Sequence, residues 1–160
     1  MKNNLIMLLC AAFMSMSVYA QKISADKVSA AVMTTFKVKF PSAENVTWEM
    51  ETAGEYEASF KSNTVEQSAT FDRNGRWVST ETEINVSELP ETVTQAIAKQ
   101  FAGFKTTEAS KVEHTRHGSC YEAEIVKEKE SYDVLVSSKG EVLSKQTEKE
   151  DGEDEDNKKD

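Results

Sequence analysis

The chain has 160 residues, 28 acidic against 19 basic, for a formal charge of −9, and 38% of it is hydrophobic. Such a length is one domain, or two very small ones, and a chain near 150 residues buries roughly 70% of its unfolded surface. The acidic balance argues against nucleic acid and against an anionic membrane surface, both of which need a clustered cationic face. Two prolines and six glycines exclude a collagen-like chain, and the apolar content excludes a wholly disordered one.

Met1 to Ala20 carries one cation, Lys2, an apolar run from Leu5 to Met14, and Val18-Tyr19-Ala20 before Gln21. Those are the parts of a secretory signal, and the run is too short for a membrane span of about 20 residues. Lipidation at Cys10 does not fit, because Leu9 stands where a small residue belongs. The expected product is a soluble periplasmic or secreted protein over 21–160. With Cys10 gone, Cys120 has no internal disulfide partner.

Val28, Val32, Phe36 and Phe40 stand four apart, and so do Leu89, Val93, Ile97 and Phe101. That spacing predicts two helices, each with an apolar stripe. Ser24 and Ser87 are placed to cap them, Pro90 falls in the first turn of the second, and Pro41 and Gly103 end the two.

After each helix the period changes to two. Val46, Trp48 and Met50 alternate with polar residues, then Tyr56, Ala58 and Phe60, then Val65, Ala69 and Phe71. Asn74-Gly75 turns the chain into Arg76-Trp77-Val78 as a hairpin. Tyr121-Glu122-Ala123 and Lys139-Gly140-Glu141-Val142 repeat parts of this pattern. The expected fold is α+β, a tandem repeat over about 25–84 and 87–147. Each copy has one helix on the apolar face of a four-stranded antiparallel sheet, with the other face open to water. Glu148 to Asp160 holds eight acids, three lysines and no apolar residue, which predicts a disordered acidic tail.

Several of these segments resemble a known family. Phe40-Pro41, Asn45-Val46-Thr47-Trp48-Glu49, Tyr56-Glu57-Ala58-Ser59-Phe60, Ala69 to Trp77 and Ser87-Glu88-Leu89-Pro90 look like the PepSY-like, beta-lactamase-inhibitor-like exported proteins of gut Bacteroidota. The resemblance covers about 25–147. It implies a periplasmic protein with a tandem helix-plus-four-strand fold like that of the beta-lactamase inhibitory protein. It implies no particular activity.

Strand parity sends Trp48, Tyr56, Phe60, Phe71, Trp77, Tyr121 and Tyr132 to the helix-facing side. The open face then offers Glu49, Glu51, Glu57, Lys61, Glu66, Thr70, Val78, Thr80, Glu122, Glu124, Asp133 and Leu135 as candidate partner-binding positions. Aromatic anchors, which dominate most interfaces, are missing from that set. Cys120 precedes the inward Tyr121 and so belongs on the open face, where an intermolecular disulfide is one outcome.

His114, His117 and Cys120 are the one cluster of soft metal ligands, spaced three apart. On a strand that spacing points to opposite faces, and no fourth ligand closes a zinc site, so no metal is assigned. Asp72-Arg73-Asn74-Gly75 begins like a calcium loop and Glu83 stands at its twelfth position, but Trp77 to Thr82 reads as a strand. No nucleophile elbow, phosphate loop or zinc-protease motif is present. The sequence reads as a non-enzymatic exported module, without a cofactor, that engages an envelope protein or peptide, inhibition being one form of that. The rival reading is a metal- or calcium-responsive envelope protein.

Overall fold

The computed structural model describes residues 21–51 and 54–147. The signal segment at 1–20 and the acidic tail at 148–160 lie outside the described residues.

The strands are β1 (Gln21–Ile23), β2 (Glu44–Met50), β3 (Tyr56–Ser62), β4 (Val65–Phe71), β5 (Trp77–Ile84), β6 (Lys105–His114), β7 (Gly118–Lys127), β8 (Glu130–Ser137) and β9 (Val142–Thr147). Helix α1 (Ala30–Lys39) lies between β1 and β2, and α2 (Glu91–Gln100) between β5 and β6. All nine strands form one antiparallel sheet in chain order.

This corrects the expected fold class. The protein is mostly β, a single nine-stranded sheet with two helices, and not a tandem of separate helix-plus-four-strand sheets. The reason is the seam between β5 and β6, which pair in continuous register from Ser79↔His114 to Ile84↔Ala109. Two separate sheets would leave both of those strands as edges, with a row of unpaired backbone groups. The short β1, pairing Gln21↔Met50 to Ile23↔Trp48, supplies the ninth strand.

Both helices pack on one face of the sheet. Val28, Val32 and Phe36 join Trp48, Ala58, Phe60, Ala69 and Phe71 in one buried cluster. Leu89, Val93 and Ile97 join Ala109, Ala123, Ile125, Val134 and Val136 in another. Tyr56 and Trp77 pack against the first, Tyr121 and Tyr132 against the second.

The caps differ from the expected ones. Ser29 caps α1, its hydroxyl accepting from the Val32 amide at 3.3 Å. Ser24 instead precedes a 3-10 turn over Ala25–Lys27, and its hydroxyl bonds the Asp26 carboxylate. A second 3-10 turn, Val86–Glu88, encloses Ser87, so α2 starts after Pro90 with no side-chain cap. There Glu88 accepts from the Asn85 backbone N–H at 2.8 Å.

Two hairpin tips fasten the helices to the sheet. In the first, Asp72 Oδ1 accepts from the Asn74 and Arg76 amides at 2.8 and 2.9 Å. In the second, Ser137 Oγ accepts from the Lys139 and Glu141 amides at 3.3 and 3.1 Å. Gly75 and Gly140 have φ of +81° and +82°, which glycine adopts without strain. A Cβ on Gly75 would stand 2.6 Å from the Ala31 carbonyl carbon, and one on Gly140 2.8 Å from the Thr92 carbonyl oxygen. Thr35 Oγ1 donates to the Gly75 carbonyl at 2.7 Å, and Thr92 Oγ1 to that of Ser138 at 3.0 Å.

Candidate functional site

The face turned away from the helices can be traced through the register, because directly paired residues share a face. One row runs Thr47↔Ser59↔Ser68↔Glu81↔Val112↔Cys120↔Ser137 across the sheet. Lys22↔Glu49↔Glu57↔Thr70↔Ser79 belongs to the same face. So do Glu83↔Ser110↔Glu122↔Leu135 and Glu108↔Glu124↔Asp133.

Among the expected positions, Glu49, Glu57, Lys61, Glu66, Thr70, Glu122, Glu124, Asp133 and Leu135 lie on this face by register. Glu51 follows β2, where its backbone N–H donates to the Glu55 carbonyl at 2.8 Å. Thr80 is a correction. It pairs with Ala69 of the helix-side core and accepts from Trp77 Nε1 at 2.9 Å, so it faces the helices. Val78 is the extra residue of a β-bulge, since Thr70 pairs with Ser79 and Phe71 with Trp77. Past a bulge, the faces of a strand exchange.

That exchange puts Ser79, Glu81 and Glu83 on the open face. One sequence signal marks it. Strict alternation from the inward Trp77 would drive Ser79 and two carboxylates into an apolar core, where an unpaired charge is very unfavourable.

The open face curls inward. Val112 and Cys120 lie on it, yet they are 2% and 0% exposed. The Glu57 carboxylate of β3 acts on Glu122 of β7, four strands away. A flat sheet at about 4.8 Å per strand would hold them about 19 Å apart.

Curvature crowds carboxyl groups into the middle of the face, where Glu57, Glu81, Glu122, Glu124 and Asp133 are half-buried. Burial, then the Glu122 and Glu57 carboxylates, push the Glu81 carboxyl up to about 9. Burial and then Asp133 raise Glu122 to about 7, against a hydrogen bond with Glu81 that holds it down. The two effects of that bond fit a protonated Glu81 donating to an ionised Glu122. Asp133 is also raised, by burial first and then by Glu124 and Glu108. Glu124 is held differently, accepting from Thr107 Oγ1 at 2.6 Å and Ser131 Oγ at 3.0 Å. Lys61 on this face is in an ion pair with Glu66 at 2.7 Å.

The soft-ligand cluster does not assemble. His114 Nδ1 accepts from the Arg116 and His117 amides at 2.9 and 3.3 Å, so the ring closes its own turn. Among the described residues no group of three His, Cys, Asp or Glu side chains is placed to hold a metal ion. Cys120 reaches the open face by register but is buried, and burial raises its thiol pKa, so it is not a surface thiol awaiting a second chain. In the calcium-like turn, Asp72 Oδ1 already accepts two of its own turn's amides. No helix of the described residues is long and apolar enough to cross a membrane.

The PepSY-like family profile, whose members are described as candidate beta-lactamase-inhibitor-like proteins, matches residues 54–144. The chain belongs to this family. Its fold is similar to that of a BLIP-like protein from Bacteroides fragilis, with TM-score 0.59 and 22% identity over 78% of this chain and 90% of that one. It is also similar to a candidate periplasmic protein from Bacteroides eggerthii, with TM-score 0.63 and 24% identity over 75% and 88%. A DUF2874 family protein from Bacteroides uniformis gives 0.62 and 24% over 74% and 88%. At these identities the likeness is one of fold. No curated protein matches the sequence.

Proposed function

We propose that this PepSY-like protein is a non-enzymatic binding module of the periplasm, and that its open sheet face engages a cationic segment of an envelope protein or peptide. The observation that carries the reading is the set of half-buried carboxyl groups, Glu57, Glu122, Glu124 and Asp133 around Glu81, on the face opposite the one that α1 and α2 cover. Carboxylates already stripped of part of their water gain more from an incoming Lys or Arg than fully solvated ones do. The large aromatic side chains are packed under the helices, so charge rather than aromatic insertion would supply recognition. The periplasmic placement rests on the export pattern of residues 1–20 and on the description of the Bacteroides eggerthii fold relative.

Affinity capture from an envelope extract tests the reading, with residues 21–160 as bait beside the same bait carrying Glu57→Gln and Glu122→Gln. The expected result is a protein retained by the first bait, released by raised salt, and not retained by the second. Equal retention by both baits would remove the open face from the account. Turnover of any substrate by the pure protein would overturn the non-enzymatic reading.

A further inference from the structure

A strip of cations and aromatic rings lies away from the open-face carboxylates, where α2 runs into β6. Tyr132 of β8 pairs with Ile125, and Lys145 of β9 pairs with Val134, so both stand on the helix-covered side. Lys145 Nζ is 3.3 Å from the centre of the Tyr132 ring and 5.9 Å from that of Phe101. The Tyr132 ring meets Phe104 at 5.6 Å, and Lys127 Nζ is 5.7 Å from the Phe104 ring. Lys105 and Lys127 line one cleft beside Gly103. These three lysines are exposed, and among the described residues none of them is in an ion pair. The acids of the neighbouring turn are Glu128, which lines the cleft, and Glu130, which pairs in register with Lys127.

The described chain ends at the same place. Thr147, the last residue of β9, pairs with Tyr132. The sequence beyond it carries Glu150, Asp151, Glu153, Asp154, Glu155 and Asp156 in one short run.

We propose that residues 148–160 turn back on their own chain and that their carboxylates occupy the patch of Lys105, Lys127 and Lys145, a site for an acidic peptide segment that the protein fills in cis. Reach is ample. The segment spans about 43 Å when extended, and three strand spacings of about 4.8 Å separate β9 from β6. With no apolar residue beyond Thr147, charge alone must hold it. A single exposed ion pair contributes little, so several act together. A short tether supplies the rest, as a local concentration of about millimolar. The rings beside Lys127 and Lys145 also restrict those ammonium groups, which lowers the entropy lost on pairing. On the other face, Glu57, Glu122 and Asp133 repel the segment and leave it to the lysines. An acidic partner would have to displace the tail to reach the patch. The site has the opposite sign to the open face, and neither depends on the other.

Lysine acylation reads the patch directly, because an ammonium held by a carboxylate releases its proton less readily and reacts more slowly. The chain over 21–160 and a variant carrying Glu153→Gln, Asp154→Asn, Glu155→Gln and Asp156→Asn are treated briefly with an acetylating active ester, and each lysine is scored by mass spectrometry. At low salt, Lys105, Lys127 and Lys145 should react about threefold more slowly in the wild type than in the variant. Lys37 on α1 and Lys139 at the β8–β9 turn should react equally in both. In about 0.5 M salt, where charges are screened within about 4 Å, the difference should vanish. Equal rates at low salt, or slowing shared by Lys37 and Lys139, would overturn the proposal. Slowing that fades as the protein is diluted would overturn the cis arrangement and give the tail to a second copy. The salt series on the unaltered chain supplies a reading that needs no variant.

Discussion

The two helix-covered clusters fill equivalent places with different chemistry. In the first, Phe36 of α1 meets Trp48, Phe60 and Phe71 at centroid distances of 5.0, 5.3 and 6.2 Å, mostly edge-on. In the second, Ile97 of α2 shares a buried cluster with Ile125, Val134 and Val136, and the aromatic rings of Phe101, Phe104 and Tyr132 stay at the margin. Edge-to-face rings are held by their quadrupoles as well as by burial, so the first cluster is particular about geometry. Branched aliphatic side chains interchange more readily at constant volume. One sheet therefore carries a stiff half and a tolerant half.

The largest effect should come from Phe36→Ala, which leaves a cavity in the centre of the ring cluster and costs about 3–5 kcal/mol. Ile97→Val should cost about 0.5–1.5 kcal/mol. Urea midpoints of the two variants measure the contrast. Both tryptophans belong to the first half, at Trp48 and Trp77, whereas far-ultraviolet circular dichroism reports all nine strands. A continuous sheet predicts that the two probes give one transition, and separated midpoints would divide it at the β5–β6 seam.

Next in size are the glycine tips. Gly75→Ala should cost about 1–3 kcal/mol from the strained backbone, and more because the added methyl meets the Ala31 main chain. Gly140→Ala meets a single oxygen, Thr92 O, at 2.8 Å and should cost less of the second kind. Thermal midpoints of the pair would show whether the first half is also stiffer at its edge. Smaller still, Ser29→Ala should remove about 1 kcal/mol by exposing the first turn of α1. The α2 start has no side-chain cap to lose.

The clusters show what a single sequence makes legible. Spacing of four placed Val32 and Phe36, and Val93 and Ile97, on their buried stripes, and alternation sent the tryptophans inward. Asn74-Gly75 marked the hairpin tip. What alternation cannot register is a single inserted residue. Val78 flips every side chain after it, so Thr80 exchanged faces with Glu81, and the residue at the middle of the candidate site was hidden. The joining of the halves through β5 and β6 is a pairing between distant segments, which no local pattern encodes. The three-residue β1 is too short to show a period. Curvature, the source of the raised carboxyl pKa values, follows from the assembled sheet.

The smallest predictions separate the halves by pH. Asp72 is held below its usual pKa by the Arg76 and Asn74 amides. Its contribution is thus present above the ordinary carboxylate range and fades as pH falls through the lowered value. Exchange protection of the Asn74 and Arg76 amides should weaken in acid, whereas Lys139 and Glu141, held by the uncharged Ser137, should not follow. Glu81 has the opposite sign. Its folded pKa is raised from 4.5 to about 9, so its contribution is full below 4.5 and is lost as pH rises toward 9. Glu81→Gln should flatten the melting temperature across that window while leaving the acid limb in place.

The anchored glycine tips also divide the molecule into ends that accept engineering and ends that do not. At one end of the strands, the turns through Asn63-Thr64 and Glu128-Lys129 are exposed, and among the described residues no helix is fastened to them. A fluorophore or an epitope grafted there would ride on the sheet as a passenger. At the opposite end, Gly75 and Gly140 sit beneath α1 and α2 like wedges under a lid, and any insertion there would lever a helix from the strands it covers.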